Sequence, residues 1–196
     1  MTRPELVALG ASWGGIDATR DVLARLPPDP PFAMLLVQHR GRDGSDGLLD
    51  VLRRCASAPV LEPDDKEPIL PGRIYLAPPD YHLLVERRSF ALSTEEMVNH
   101  ARPSIDVVFE TAARAYRERL LAIILSGAGS DGAMGLARVK ALGGLTAVQD
   151  PHTAHARSMP EAAIGRASPH RILRLEEIAE FILSACLAGV DLASSG

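Results

Sequence analysis

Three apolar runs constrain this chain more than any other feature: Leu6-Val7-Ala8-Leu9, Phe32-Ala33-Met34-Leu35-Leu36-Val37 and Leu120-Leu121-Ala122-Ile123-Ile124-Leu125. Each is as long as a strand and has no polar residue at alternate positions, so each predicts a strand covered on both faces, as in a parallel sheet layered with helices. All three stop abruptly, in Gly10-Ala11-Ser12-Trp13-Gly14-Gly15, in Gln38-His39, and in Ser126-Gly127-Ala128-Gly129-Ser130-Asp131-Gly132. Helical spacing follows the first run in Ile16, Thr19, Val22, Leu23 and Leu26, and ends in Pro27-Pro28-Asp29-Pro30-Pro31, where proline cannot continue it. After the second run a polar loop over 40–47 leads to a helix reaching about Ala56, with Leu48, Leu49, Val51 and Leu52 inward. The alternation predicts an α/β fold with a doubly wound, mostly parallel sheet and helices on both faces.

The middle of the chain is different. Val60-Leu61, Arg73 to Ala77, Tyr81 to Val85 and Ser89 to Ser93 are short strand-like pieces separated by the turn signals Pro71-Gly72 and Pro78-Pro79-Asp80, which predicts an antiparallel edge hairpin. Arg102-Pro103-Ser104 then opens a helix carrying Ile105, Val108, Phe109 and Ala112, with Ser104 as its N-cap. Beyond the third run the pattern gives a helix from Ala133 to Leu142, a strand Leu145–Val148 and a polar loop over 149–157. A helix Met159–Ala167, a strand Arg171–Arg174, a helix from near Leu175 and a frayed tail over 191–196 complete it. With neither repeat nor linker in sight, residues 1–196 read as a single domain.

Composition removes several classes of function. A net charge of −4 without a Lys/Arg block argues against nucleic acid or an acidic membrane, and four Phe, three Tyr and one Trp are too few for a base-stacking platform. No apolar run approaches the roughly 20 residues of a spanning helix, and residues 1–5 lack the features of a secretory signal, so no membrane insertion and a cytoplasmic location are expected. Cys55 and Cys186 have no spacing partner and read as small buried hydrophobes. His152 and His155 lie near Asp150, yet no Cys or Glu completes a metal site there; neither a metal nor a cofactor is expected. The acidic run Glu62, Asp64, Asp65, Glu67 reads as a solvated turn, and His82, His100 and His170 as structural or surface residues.

In a doubly wound sheet, ligands sit beyond the carboxyl ends of the strands, near the point where strand order reverses. Ser12, His39 and Asp131 each lie just past such an end. The turn around Ser12 has the spacing of a nucleophile elbow, G-x-S-x-G, in which Gly10 and Gly14 remove Cβ atoms that would clash. The same string also fits a phosphate-binding loop or a plain turn. A serine hydroxyl needs a base, and the base needs a group that fixes its tautomer; serine, histidine and aspartate are those three types. Their order here, Ser-His-Asp, differs from the Ser-Asp-His of α/β-hydrolases. His39 equally fits a carbonyl cap at a strand end, and Asp131 fits the N-cap of the helix that follows it.

The chain resembles the chemotaxis protein-glutamate methylesterases of the CheB type. The resemblance rests on Gly10-Ala11-Ser12 through Gly14-Gly15, Gln38-His39, Leu70-Pro71-Gly72-Arg73-Ile74-Tyr75-Leu76-Ala77-Pro78, Arg102-Pro103-Ser104-Ile105-Asp106, Ser126-Gly127 through Ala133, and Met159 to Ile164, all in family order. It implies a hydrolase that removes methyl esters from glutamyl side chains of chemoreceptors and also deamidates receptor glutamines, with Ser12 as nucleophile, His39 as base and Asp131 as orienting partner. The backbone N–H of Trp13, next after the nucleophile, is the first candidate for meeting an oxyanion, and that of Ala128 a weaker one. Trp13, Arg40 and Ala128 depart from the usual Thr, Met and Met, which bears on substrate preference. Relatives commonly carry an N-terminal receiver domain; here the catalytic strand begins within ten residues, which implies the effector domain alone. The alternative readings are a Rossmann-like nucleotide binder and a non-catalytic adaptor. The first would need a Tyr-x-x-x-Lys pair, but Tyr75, Tyr81 and Tyr116 are followed four residues on by Pro79, Val85 and Leu120. The second is opposed by the intact Ser12, His39 and Asp131.

Overall fold

A computed structural model of the chain describes residues 2–41 and 47–188. The predicted tail over 191–196 and most of the polar loop after Arg40 lie outside the described residues. Elements follow in the order β1 (Leu6–Ala11), α1 (Gly15–Ala24), β2 (Ala33–Gln38), α2 (Leu48–Cys55), β3 (Val60–Leu61), β4 (Ile74–Leu76), β5 (His82–Val85), β6 (Phe90–Ser93) and α3 (Ile105–Tyr116). Then come β7 (Leu120–Ile124), α4 (Ala133–Ala141), β8 (Leu145–Gln149), α5 (Ser158–Ala167), β9 (Arg171–Leu173) and α6 (Leu175–Ala188).

Seven strands form one sheet in the order β3-β4-β2-β1-β7-β8-β9, with every neighbouring pair parallel. The three apolar runs are its three central strands, and every residue of β1, β2 and β7 is buried. Side chains alternate between two cores, as the pleat requires. Leu6, Ala8, Leu35 and Val37 face α3, α4, α5 and the β5–β6 hairpin. Val7, Leu9, Met34 and Leu36 face α1, α2 and α6. From β1 the chain passes to β2, goes out to the edge strand β3, steps back to β4 between β3 and β2, and then crosses to β7 on the other side of β1, so strand order reverses between β1 and β7.

The short central pieces divide into two kinds. β3 and β4 extend the main sheet in parallel, whereas β5 and β6 pair antiparallel as a separate two-stranded sheet. The hairpin covers the α3 face through Leu83, Val85 and Phe90 instead of hydrogen-bonding to the main edge.

Several local expectations change in the structure. In α2 only Leu48 and Leu52 are buried; Leu49 and Val51 are half-buried because one face of this short helix meets the sheet. Cys55 is half-buried, with its thiol on the Leu52 carbonyl at 3.2 Å, while Cys186 is buried and desolvation pushes its thiol up to about 12. The acidic turn is tied down: Glu62 pairs with Arg40 at 2.5 Å, and Asp65 accepts the Leu92 N–H at 3.0 Å. Among the described residues no helix is long and apolar enough to cross a membrane.

Candidate active site

The turn after β1 is held by hydrogen bonds within itself and to Ser126. The Ser12 N–H donates to the Ser126 carbonyl at 3.0 Å, and the Gly15 N–H donates back to the Ser12 carbonyl at 2.8 Å. Ser126, fully buried after β7, also donates its hydroxyl to the Trp13 carbonyl at 2.9 Å and accepts the Ala156 N–H at 2.9 Å. The two glycines of the elbow are required. Gly14 is left-handed, with φ of 72°, and a Cβ there would fall 2.5 Å from the His155 Cβ. A Cβ on Gly10 would collide with the side chain of Ile105, the first residue of α3.

β1 and β2 are neighbours with Ala11 opposite Gln38, so the residues that follow each strand, Ser12 and His39, emerge side by side. Gln38 Nε2 donates to the carbonyls of Ser12 at 2.8 Å and of His39 at 3.1 Å, which fixes the two loops relative to each other. Asp131 arrives from the other side of β1, in the loop after β7. The strand-order reversal between β1 and β7 is therefore what brings the three loops together.

His39 Nδ1 lies 3.1 Å from Ser12 Oγ, and His39 Nε2 lies 2.8 Å from Asp131 Oδ2. With a carboxylate on Nε2, the neutral imidazole carries its proton there and leaves the Nδ1 lone pair for the serine hydroxyl. The ring is reversed relative to the chymotrypsin arrangement, in which Nε2 meets the serine.

Asp131 is 3% exposed and saturated with donors. Oδ1 accepts from Asn99 Nδ2 (2.8 Å), Ser104 Oγ (2.9 Å), Asp106 N–H (3.1 Å) and Gly132 N–H (3.1 Å). Oδ2 accepts from Ile105 N–H at 2.7 Å besides His39. Burial by itself would raise its pKa; hydrogen bonds from His39, Asn99, Ile105 and Asp106 outweigh burial and hold the carboxyl below the usual carboxylate range. Asp131 remains an anion facing the imidazole.

This geometry corrects two capping expectations. Asp131 contacts the Gly132 N–H, yet its main capping is of the preceding helix, α3, through the N–H groups of Ile105 and Asp106. The first turn of α4 is capped instead by Asp106 Oδ1, which accepts the Gly135 N–H at 2.6 Å. Ser104 occupies the N-cap position of α3 but makes no side-chain cap there, because its hydroxyl is spent on Asp131. Sequence reasoning missed Gln38, Asn99 and Asp106 as parts of the site. The signals were present only as a Gln before the His, an Asn in a tight turn, and an Asp in the first turn of a helix.

Trp13 is 69% exposed and forms a wall of a cleft of about 540 Å³ together with Ser12, Ile16, His39, Ala128 and His155. Among the described residues, the backbone N–H groups of Trp13 and Ala128 have no acceptor. His152 and His155 are not brought together as ligands: His155 packs on Gly14 in the cleft, and His152 has its N–H on Asp150 Oδ1 at 2.9 Å. Arg40 lies beside His39 in a second hollow of about 120 Å³ with Met97, His100 and Arg102.

A parallel doubly wound sheet with serine, imidazole and carboxylate in hydrogen-bonded sequence at its switch point has the architecture and the chemical groups of a serine hydrolase. The chain belongs to the CheB methylesterase family, whose model matches residues 7–182. A Leptospira interrogans protein bearing the name protein-glutamate methylesterase/protein-glutamine glutaminase is 43% identical over 180 residues, covering 91% of this chain and 93% of that protein. A Myxococcus xanthus protein-glutamate methylesterase/protein-glutamine glutaminase is 40% identical over 185 residues, which are 94% of this chain and 52% of that longer protein. The crystal structure of the Thermotoga maritima CheB methylesterase catalytic domain superposes with a TM-score of 0.89 at 29% identity, covering 93% of this chain and 99% of that one.

Proposed function

We propose that this protein hydrolyses glutamyl methyl esters on methylated chemoreceptors in the cytoplasm, and deamidates receptor glutamines by the same chemistry. The observation that carries the proposal is the continuous line from Ser12 Oγ through His39 to Asp131, on a chain whose relatives bear those two activities in their names.

Ser12 Oγ attacks the ester carbonyl carbon while its proton passes to His39 Nδ1, and the imidazolium so formed is stabilised by Asp131 across the Nε2–H bond. The charge that develops on the carbonyl oxygen is met by the Trp13 N–H, with the Ala128 N–H as second donor; neither has an acceptor among the described residues. As the tetrahedral intermediate collapses, the carbon–oxygen bond to methanol breaks and His39 returns its proton to the departing oxygen. Water then attacks the acyl-serine, gives a proton to Nδ1, and releases the glutamyl carboxylic acid, with the proton going back to Ser12. For a glutamine side chain the leaving group is ammonia, which takes the proton from His39 in the same way.

Incubation with a methylated chemoreceptor fragment should release methanol. Ser12→Ala should abolish that release and also abolish covalent labelling by a fluorophosphonate, while Asp131→Asn should lower turnover by on the order of 10⁴ with the fold retained. Undiminished methanol release by Ser12→Ala would overturn the mechanism.

A further inference from the structure

Beside the serine, the imidazole and its carboxylate lies a second buried acid. Asp106 is 9% exposed, and its Oδ1 is occupied by the Gly135 N–H. Its Oδ2 points at Asn99, whose single Nδ2 is 2.7 Å from Asp106 Oδ2 and 2.8 Å from Asp131 Oδ1. One amide group therefore joins the two carboxylates, with one N–H available for each.

Asn99 belongs to an exposed segment and is itself exposed. Asn99 and His100 both have positive φ, 52° and 61°, and the flanking Val98 and Ala101 exchange two backbone hydrogen bonds of 3.2 and 3.0 Å. That is a two-residue turn of the type that favours Asn for its backbone alone. The turn would form without any use for the side chain. The side chain nevertheless reaches inward, to the atoms on which the orientation of Asp131 depends.

We propose that Asn99 is a positioning residue for the reaction: by donating to both Asp131 and Asp106 it keeps both carboxylates charged side by side, and so keeps Asp131 available to the His39 imidazolium. Two carboxylates that share one donor amide repel each other, and without that shared donor each holds a proton to higher pH even though the Gly132 N–H remains between them. A protonated Asp131 no longer stabilises the imidazolium. The direction of the Asp106 pKa agrees with this picture: burial raises it, the Gly135 N–H opposes the rise, the Asp131 charge raises it further, and the Asn99 amide and the Gly132 N–H work against that. The charged and titratable groups around the pair are His39 from the end of β2, Asp106 from α3, and His100, Arg40 and Arg102 across the neighbouring hollow. Arg40 and Arg102 are engaged by Glu62 and Asp80 at 2.5 and 2.7 Å.

The inference rests on the hydrolase reading above, and its test reads activation of the nucleophile without needing the native ester. In labelling by a fluorophosphonate, Ser12 Oγ attacks phosphorus, fluoride leaves, and the serine proton passes to His39. Two variants separate the side chain from the turn. Asn99→Gly tolerates positive φ and removes only the amide, while Asn99→Asp keeps shape and turn preference but replaces the donor with an acceptor. Both should label at least about 10-fold more slowly than wild type at neutral pH. Because losing the donor makes both acids hold protons to higher pH, the acid limb of the labelling profile should move upward, by about one pH unit. A role confined to the turn would lower the melting temperature without moving that limb. A wild-type rate and an unmoved limb in Asn99→Gly overturn the inference, whatever Asn99→Asp does. Failure of the hydrolase reading itself looks different: Ser12→Ala would still label, or wild type would not.

Discussion

Trp13 has little packing to lose, since more than two-thirds of it is exposed, but its backbone is held at the carbonyl by Ser126. Side chain and main chain therefore separate cleanly at this residue. Trp13→Thr should leave stability within about 0.5 kcal/mol of wild type, as surface substitutions do. Its N–H stays in place, so Ser12 should label at close to the wild-type rate. What changes is the apolar wall of the cleft: KM for a small methyl ester should rise by about fivefold, the equivalent of roughly 1 kcal/mol of lost contact. Identical kinetic constants for both proteins across a series of esters would show that the indole takes no part in substrate contact.

At the scale of elements, α3 and α4 cap one another. The acid just before α4, Asp131, accepts from the first N–H groups of α3, and the acid in the first turn of α3, Asp106, accepts from the first turn of α4. Anions at helix N-termini complement the partial positive charge there, so each helix steadies the other's acid. β1 enters this arrangement through Gly10, whose missing Cβ makes room for Ile105. Gly10→Ala should push Ile105 and the start of α3 outward, at a cost of about 1–3 kcal/mol for overpacking. Because the Ile105 N–H is bonded to Asp131 Oδ2, fluorophosphonate labelling of Ser12 should slow in the same variant. An unchanged urea midpoint together with unchanged labelling would mean that α3 yields without disturbing Asp131.

For the whole molecule, the buried carboxylate of Asp131 links stability to pH. Asp131 has a folded pKa below its ordinary value near 3.9 in an unfolded chain, so the native state releases its proton more readily than the unfolded state. Its contribution to stability is complete above that unfolded value and is lost as pH falls through the folded one. Asp106, raised in the fold, has the opposite sign: its charge weighs against the native state at pH values above its folded pKa. The stability difference between wild type and Asp131→Asn, measured by urea unfolding, should therefore be constant from neutral pH to about 5 and shrink steadily below about 4. A difference that stayed constant down to pH 2 would show that Asp131 is not held as an anion by its donors.

The sequence by itself determined the layered α/β fold, because three runs without alternation can be buried only between two helical layers. It also determined the three loops that carry Ser12, His39 and Asp131, since glycines and titratable residues are what an apolar strand ends in when its carboxyl end faces a site. The pairing of those loops was legible only through an assumed strand order; the order β2-β1-β7 that makes them neighbours arises from long-range ladders that periodicity does not encode. The reversed imidazole, the capping of α3 by Asp131 in place of α4, and the amide of Asn99 between two acids were decided by tertiary structure alone. Apart from the Asn99–Asp106 contact at 7 positions, each depends on groups meeting across 25 to 92 positions of sequence, and a hydrogen bond made at that separation leaves no local pattern to read.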